Sequence, residues 1–371
     1  MLFINFKMKI ILTLLTAFLV TSCLSVKVSD NNLNVANSEV KKPKNIILLI
    51  GDGMGLSQVS TGIYYQETPS NFERLTTIGL IKTSSSSDLI TDSAAGATAF
   101  SAGVKTYNGA IGVKSDSTFV ETILEQVSQR GISTGLIATS SIVHATPASF
   151  YAHVNSRRLY EDIADYLSTS EVDFFAGGGL KFFNKRKDGK NLLEELKANN
   201  FEVNTIKLPE NVSGKKQAIL LAEDGMPRKI DGRGDFLPKA TQLALDNLSQ
   251  NEKGFFLMVE GSQIDWGGHN NNAEYLIEEQ LDFDKTVGVA LDFAKKNGNT
   301  LVIVTADHET GGYTLASENN NYNKVKPAFS TTGHSATMVP VFTYGSGSSI
   351  FNGIFENTEI YSKIKMLFSA E

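Results

Sequence analysis

The sequence predicts an α/β fold built around a mostly parallel sheet. Continuous apolar runs such as 46–50 and 301–304 have the composition of strands that are buried on both faces. Helical patterns alternate with these runs along the chain, which is the βαβ rhythm of α/β domains. The 31 glycines against 8 prolines fit many tight connections between strands and helices.

Composition places the chain among ordinary globular proteins. It has 371 residues, of which 41% are hydrophobic and 20% charged, so one large α/β domain is expected rather than disorder. The formal net charge of −6 argues against a general nucleic-acid binder, which is normally basic. Any site for an anion must therefore be made locally positive by metal ions, arginine or helix N-termini.

Residues 1–22 are typical of a bacterial lipoprotein signal peptide. Two lysines precede the apolar run 10–20, which is too short for a comfortable membrane span, and small residues then lead to Cys23. Cys23 is the only cysteine, so an intrachain disulfide is impossible, and we favour lipidation over an ordinary cleaved signal with an incidental cysteine. The true start is Met1 or Met8. The prediction is an exported protein, periplasmic or attached to the outer membrane by lipid.

A polar tether and a single domain are expected after the signal. Residues 23–43 show neither helical nor strand periodicity, which is typical of a flexible tether. Residues 44–371 are predicted to form one domain, whose first strand is the apolar run 45–50. That strand ends in a Gly-Asp-Gly sequence, where Asp52 is a candidate metal ligand, although a simple Asp-Gly turn is the alternative.

A run of small residues between 91 and 99 has Ser93 near its start. One interpretation is close helix packing, which small side chains allow. The other is that Ser93 opens a helix, where free N–H groups and the positive end of the helix dipole surround its hydroxyl. No Gly-x-Ser-x-Gly elbow surrounds Ser93, so activation by a metal is favoured over a Ser-His-Asp triad.

The middle of the chain continues the alternation of helices and strands. Thr118 and Glu121 have the spacing of a capping box, and the helix that they start is expected to end at Gly131. Further elements are expected as strands at 135–139, 174–176 and 218–221 and as a helix at 159–167.

Arg157 lies just before the helix expected at 159–167. A guanidinium binds phosphate through two parallel hydrogen bonds, so Arg157 is a candidate clamp for an oxyanion. The alternative is an ordinary surface arginine, which is the commoner case.

The stretch after the apolar run 255–259 carries three side chains of metal-ligand type. Glu260, Asp265 and His269 lie in a segment expected to be a glycine-rich loop at the carboxyl end of a buried strand. A helix is expected to begin at 271–274 with a capping-box spacing and to run to Lys296. The alternative interpretation is a polar turn with a solvated acid and histidine.

Histidines are few and concentrated. Asp307 and His308 follow the strand expected at 301–305, and His334 precedes the apolar run 339–342. With His269, three of the 5 histidines lie in glycine-containing loops next to strands, which random placement makes improbable.

These side chains together predict a metal centre. Six nitrogen and oxygen ligands are enough for two zinc ions with three protein ligands each, and they are Asp52, Asp265, Asp307, His269, His308 and His334. Paired metal ions are a standard device for displacement at phosphorus. A Cys₄ structural zinc site is excluded, because the chain has one cysteine.

Six segments, in order along the chain, resemble the alkaline phosphatase family. They are 52–55 (DGMG), 91–98 (TDSAAGAT), 144–147 (HATP), 260–269 (EGSQIDWGGH), 305–312 (TADHETGG) and 333–335 (GHS). The resemblance is strongest to small bacterial members, including cold-active marine ones. It implies a three-layer α/β/α sandwich with a large, mostly parallel central sheet. It also implies hydrolysis of phosphate monoesters through a phosphoserine, two zinc ions, one magnesium ion and a homodimer.

The resemblance also implies a role for individual residues. Ser93 would be the nucleophile and Arg157 the clamp for the phosphoryl oxygens. One zinc ion would be held by Asp265, His269 and His334, and the other by Asp52, Asp307 and His308. The magnesium ion would be held by Asp52, Thr146 and Glu260.

Three further positions are of interest beside these ligands. His144 stands where some family members have an acidic residue near the magnesium, and Trp266 stands where some have a lysine. His153 is either a supporting residue of the site or a structural histidine. Two other functions are possible: a sulfatase or phosphodiesterase of the same fold, and a lipid-anchored phosphate- or zinc-binding protein. Sulfatases need a proline two residues after the nucleophile, which Ser93 lacks.

Overall fold

The computed structural model describes residues 41–212 and 214–368. These residues belong to one compact unit. The predicted signal peptide 1–22, Cys23 and the tether as far as residue 40 lie outside the described residues. Within the described ranges, no helix has both the length and the apolar character needed to cross a bilayer.

A ten-stranded sheet forms the centre of the molecule. Its strands are β1 (Asn45–Gly51), β2 (Thr77–Lys82), β3 (Ser133–Ser141), β4 (Phe174–Gly178), β5 (Phe201–Asn204), β6 (Lys216–Leu220), β7 (Phe255–Gly261), β8 (Thr300–Thr305), β13 (Val339–Gly345) and β14 (Gly353–Glu356). Their order is β14-β2-β13-β8-β1-β7-β3-β4-β6-β5. Strand β13 is antiparallel to both neighbours and all other pairs are parallel, so the expected mostly parallel sheet is confirmed.

Four short strands lie outside this sheet. The strands β10 (Thr314–Glu318) and β11 (Asn321–Ala328) form an antiparallel hairpin. The two-residue strands β9 (Glu309–Thr310) and β12 (His334–Ser335) pair with each other. The second pair is small, but it carries one of the predicted metal ligands.

Helices cover both faces of the sheet, which completes the predicted three-layer sandwich. They are α1 (Leu56–Tyr64), α2 (Ser93–Ala102), α3 (Ile123–Gln129), α4 (Ala145–Ala148), α5 (Tyr160–Thr169), α6 (Lys181–Asn184), α7 (Leu192–Ala198), α8 (Phe236–Leu248), α9 (Gln263–His269), α10 (Ala273–Asn297) and α11 (Thr358–Phe368). Helix α10 packs on α1, α8 and α9, while α11 packs on α2 and α3. Strands β1, β7 and β8 are buried along their whole length, as expected for strands covered on both faces.

Two local predictions were wrong. The capping box is formed by Thr122 and Glu125, so α3 begins four residues later than Thr118 suggested. Thr118 instead bonds Asp116 through its backbone N–H and its hydroxyl, in a turn that precedes the helix. A second pair with capping-box spacing lies four residues further on, and residues 118–120 are not helical because they pair with 112–114 through a bridge between Val113 and Phe119.

The glycine-rich segment after β7 is a helix rather than a loop. Helix α9 spans Gln263–His269, and α10 then begins with Asn272 as its cap, whose side chain accepts from the N–H of Tyr275. The glycines of α9 permit close packing: a Cβ on Gly267 would lie 2.7 Å from the backbone of Leu276 in α10. Helical geometry has a functional consequence, because it places residues 265 and 269 on one face.

Candidate functional site

The ends of four neighbouring strands meet at one edge of the sheet. Strands β8, β1, β7 and β3 are adjacent and parallel. Asp307 follows β8, Asp52 follows β1, Glu260 is the penultimate residue of β7 and Thr146 follows β3. The chain therefore delivers four oxygen-bearing side chains in a row at the carboxyl ends of the central strands, where α/β sheets place their ligands.

A first group of ligands lies in the interior. Atoms of Asp52, Asp307 and His308 lie within 4.8 Å of one another, and all three side chains are fully buried. His308 Nε2 is 3.5 Å from Asp52 Oδ1 and 3.3 Å from Asp307 Oδ2. Neither oxygen of Asp52 nor Oδ2 of Asp307 has a hydrogen-bond partner among the described residues, whereas Asp307 Oδ1 accepts from the N–H of Gly53.

The second group lies nearer the surface. His269 Nε2 is 3.3 Å from Asp265 Oδ1 and 3.1 Å from His334 Nε2. The distance between His334 Nε2 and Asp265 Oδ1 is 3.6 Å. His269 Nδ1 faces the carbonyl of Thr332 at 2.6 Å, and His334 Nδ1 faces that of Thr91 at 2.8 Å. A carbonyl only accepts, so in each neutral ring Nδ1 carries the proton and the Nε2 lone pair points into the site.

Thr310 fixes the third histidine and links the two groups. Its hydroxyl donates to Asp265 Oδ1 at 2.5 Å and lies 3.2 Å from His308 Nδ1. Since the single hydroxyl proton goes to the carboxylate, Nδ1 of His308 must be the donor to Thr310, which leaves its Nε2 lone pair free. The rings of His308 and His334 stack with centroids 3.5 Å apart, and His308 also lies within 4.8 Å of Asp265 and His334. His308 therefore lies between the two groups.

Ser93 is the first residue of α2, as the sequence predicted. Its Oγ lies 3.3 Å from His308 Nε2 and the residue is 2% exposed. The helix cap is Asp92, whose side chain accepts from the N–H of Ala95. The hydroxyl therefore sits at a helix N-terminus beside the buried ligand group.

Asp92 joins Arg157 to this helix. Arg157 Nη1 donates to Asp92 Oδ2 at 2.9 Å, so one carboxylate caps α2 and orients the guanidinium. Burial raises the pKa of Asp92, but Arg157 and the N–H of Ala95 outweigh it and hold the pKa below its usual value. The segment carrying Arg157 is fixed by its own backbone N–H, which donates to Gly109 O at 2.7 Å.

Oxygen side chains surround the position predicted for magnesium. Glu260 Oε2 accepts from Ser262 Oγ at 2.6 Å and from Ser140 Oγ at 3.3 Å. Burial and, to a smaller extent, the carboxylate of Asp307 together raise the pKa of Glu260 to about 7, against the lowering effect of the nearby Ser262 and Thr146 hydroxyls. Thr146 is fully buried in α4. This donor set contains oxygen only, which suits a hard cation such as magnesium.

The three further positions predicted from the sequence are His144, Trp266 and His153. The ring of His144 meets that of Trp266 edge-on at 5.9 Å, and burial lowers the pKa of His144 to about 3, so the ring is neutral. His153 bonds Gly112 O at 2.7 Å and Glu125 Oε1 at 3.0 Å, away from the ligand groups. These contacts support the interpretation of His153 as a structural histidine.

The lone pairs and unpaired oxygens of this site are arranged as ligands of bound cations would be. Burial raises the pKa of Asp52 well above its usual value, and the neighbouring Asp307, Asp265 and Glu260 raise it further. Three imidazole lone pairs converge on the same space, and four buried carboxylate oxygens of Asp52, Asp307 and Glu260 lack hydrogen bonds among the described residues. Buried acceptors without donors are costly, and metal ions would satisfy them.

Sequence reasoning assigned no role to Asp92 or Thr310, although both lie inside quoted motifs. In the sequence, Asp92 is recognisable only as a helix cap and Thr310 only as a threonine at the end of a strand. Their partners Arg157 and Asp265 lie 65 and 45 residues away in the chain, so the contacts become visible only in the folded protein.

Comparison with solved structures gives close similarity. Alkaline phosphatase from the Antarctic bacterium TAB5 superposes with a TM-score of 0.88 and 55% sequence identity, covering 89% of this chain and 99% of that one. In two variants of that enzyme, one histidine is replaced by aspartate or glutamate, and magnesium is bound in the M3 site.

Sequence comparison gives the same result. The profile of the family described as alkaline phosphatase matches residues 43–328. Alkaline phosphatase 3 of Bacillus subtilis (strain 168) is 42% identical over 293 residues, covering 74% of this chain and 63% of the relative. The alkaline phosphatase of Escherichia coli (strain K12) is 32% identical over 416 residues, covering 91% of this chain and 88% of the relative. The chain thus spans a little under two thirds of the length of the Bacillus subtilis relative.

Proposed function

The chain belongs to the alkaline phosphatase family, and we propose that it hydrolyses phosphate monoesters through a phosphoserine on Ser93, with two zinc ions and one magnesium ion in its site. The single observation that carries this proposal is the position of Ser93. Ser93 is the first residue of helix α2, and its hydroxyl lies 3.3 Å from Nε2 of His308, a ligand of the first group that also lies within 4.8 Å of Asp265 and His334.

The residues that would hold the metals follow from the two groups. Asp265, His269 and His334 would hold one zinc ion, and Asp52, Asp307 and His308 the other. Asp52, Thr146 and Glu260 would hold magnesium. Bound zinc is a Lewis acid that lowers the pKa of a coordinated hydroxyl or water toward about 7.

The chain's own residues orient the substrate and carry the phosphoryl group. Arg157, held by Asp92, would bind two phosphoryl oxygens through its planar guanidinium. The Ser93 oxygen forms a bond to phosphorus while the bond from phosphorus to the alcohol oxygen breaks, and the alcohol leaves with a proton. Water then hydrolyses the phosphoserine, releases inorganic phosphate and restores the hydroxyl.

Turnover of a chromogenic phosphate monoester is the direct test. The zinc- and magnesium-loaded protein should release the chromophore, while a matched phosphodiester and sulfate ester should be turned over far more slowly. Binding of phosphate without turnover would instead support a binding protein, and preference for the sulfate ester or diester would support another activity on the same fold.

We further propose that His144 weakens the magnesium site. The neutral imidazole of His144 precedes Thr146 by two residues, and one of its buried nitrogens, Nδ1, has no hydrogen-bond partner among the described residues. A magnesium-bound M3 site in TAB5 variants that carry a carboxylate in place of histidine supports the same idea.

Replacing His144 with aspartate should tighten magnesium binding by roughly tenfold or more, because a carboxylate is a better partner than neutral imidazole for a hard cation. Calorimetric titration of zinc-loaded protein with magnesium measures the change. His144→Asn is the control, since it removes the ring without adding charge. Equal affinities in the two variants would show that charge at residue 144 does not control this site.

We propose that the mature protein is a lipoprotein anchored through Cys23 and that its domain works in the periplasm or at the outer membrane. The signal-like residues 1–22 support this, and the polar tether 23–43 would span at most roughly 70 Å when fully extended. A homodimer is also proposed, on family resemblance.

Cys23→Ser should release the protein from the membrane fraction and leave the catalytic rate unchanged. Lipidation of a cysteine adds more than one acyl chain, which is enough for stable anchoring. Fractionation of expressing cells, with activity assayed in each fraction, measures the effect. Equal distribution of the variant and the natural protein would refute lipid anchoring, and a variant that remains in the membrane would indicate an uncleaved apolar segment 10–20.

A further inference from the structure

We propose that Glu309 is a positioning residue that locks His334 into the metal site. This inference rests on the proposed function, because it concerns the zinc ion that Asp265, His269 and His334 would hold. Glu309 is 5% exposed and lies next to Asp307 and His308 in sequence, but its carboxylate faces away from the ligand groups.

The strand that carries His334 is too short to hold its position alone. Strand β12 has two residues, and among the described residues its ladder partner is the two-residue strand β9 alone. His334 pairs with Thr310, and Ser335 pairs with Glu309. Adjacent residues of a strand face opposite sides, so His334 and Thr310 face the site while Ser335 and Glu309 face away from it. Small two-stranded ladders are marginally stable by themselves.

The carboxylate of Glu309 holds β12 from the side opposite to the bond between His334 Nδ1 and the Thr91 carbonyl. Its Oε2 accepts from the hydroxyl of Ser335, next to His334. Its Oε1 accepts from Gln58 Nε2 at 2.9 Å and from the backbone N–H of Tyr313 at 2.9 Å. Gln58 is fully buried in α1 and also donates to Thr310 O at 3.0 Å. The bonds from Ser335 and Gln58 therefore tie β12 to helix α1 through one buried carboxylate, and the bond from Tyr313 helps to hold that carboxylate in place.

The backbone around this carboxylate is built for close approach. A Cβ on Gly55 would lie 2.6 Å from Glu309 Cγ, and one on Gly53 would lie 2.7 Å from Thr310 Oγ1. The loop between Asp52 and α1 therefore has no side chain where Glu309 and Thr310 pack. This packing gives β9 a fixed position against the loop that carries Asp52.

Loss of the contact between Glu309 and Ser335 is expected to affect only the zinc ion that Asp265, His269 and His334 would hold. Loss of the Glu309–Ser335 contact would free β12, and with it one of the three ligands in the outer group. The inner ligands Asp52, Asp307 and His308 follow β1 and β8, which lie at the centre of the sheet and do not depend on β12.

Zinc release tests this inference. Zinc-loaded protein is mixed with an excess of a colorimetric zinc chelator, and the release of each equivalent is followed. Ser335→Ala should release one zinc equivalent about tenfold faster than the natural protein, with the second equivalent unchanged, and Glu309→Ala should accelerate the same equivalent at least as much. Thr337→Ala is the matched control, because its hydroxyl lies 3.1 Å from Ser335 Oγ but has no bond to Glu309, and it should release both equivalents at the natural rates.

Amide hydrogen exchange of the metal-free protein gives a second readout that needs neither zinc nor turnover. Residues 329–338 should exchange faster in Ser335→Ala than in Thr337→Ala, with the central strands unchanged. Unchanged zinc release in Ser335→Ala and Glu309→Ala would overturn the inference, and so would equal acceleration of both equivalents, which indicates general destabilisation. A natural protein that binds no zinc or turns over no monoester would instead contradict the proposed function itself.

Discussion

Replacing Ser93 with alanine should lower the turnover of a phosphate monoester by about 10³-fold or more, while both zinc ions stay bound. The reason is that Ser93 supplies the atom that bonds to phosphorus, whereas each ligand group retains its own carboxylates and imidazoles. Steady-state kinetics measure the loss, and elemental analysis of the same preparation measures the metal content.

Ser101→Ala is a matched control for this experiment. Ser101 lies in the same helix and is also buried, but its hydroxyl donates to Ser149 O at 2.5 Å instead of facing the ligand groups. The control should lose about 1 kcal/mol of stability and keep nearly natural turnover. A Ser93→Ala variant with natural rates would refute the nucleophile assignment, and one that has lost its zinc would show that Ser93 is itself a required ligand.

Removing the metals should abolish turnover, again by about 10³-fold or more, since Lewis-acid stabilisation amounts to several kcal/mol. Zinc should restore the activity and magnesium should increase it further. Without cations the site is a cluster of buried acceptors, in which the pKa of Asp52 is raised by burial and by neighbouring carboxylates. Activity assays after chelation and after each addition, with elemental analysis at every stage, measure this dependence.

Two comparisons separate loss of metal from loss of fold. Circular dichroism of the metal-free protein should retain the helix and strand content, because the central strands are buried in apolar contacts independent of the site. Addition of calcium alone should not restore activity, since calcium prefers six to eight oxygen ligands and the outer group offers two imidazoles. Full activity in protein shown to be free of zinc would refute the two-zinc proposal.

Much of the fold could be predicted because its central strands are short, apolar and fully buried. The runs that predicted β1, β7 and β8 end where the structure ends them, to within two residues. Ser93 was recognisable at the start of α2, because the run of small residues around it is a local signal. Local signals failed where two of them competed, as in the choice between Thr118 and Thr122, and where glycines suggested a loop in place of α9.

The sequence by itself determined which residue types lie at the ends of the strands. It also determined that a helix begins at Ser93. Only the tertiary structure decided how they meet, since the order β8-β1-β7-β3 does not follow the chain and brings Asp307, Asp52 and Glu260 side by side. It also decided the histidine tautomers and the supporting contacts of Asp92, Thr310 and Glu309. The physical reason is that a hydrogen bond depends on distance and direction between atoms, and partners many tens of residues apart acquire both only when the sheet has formed.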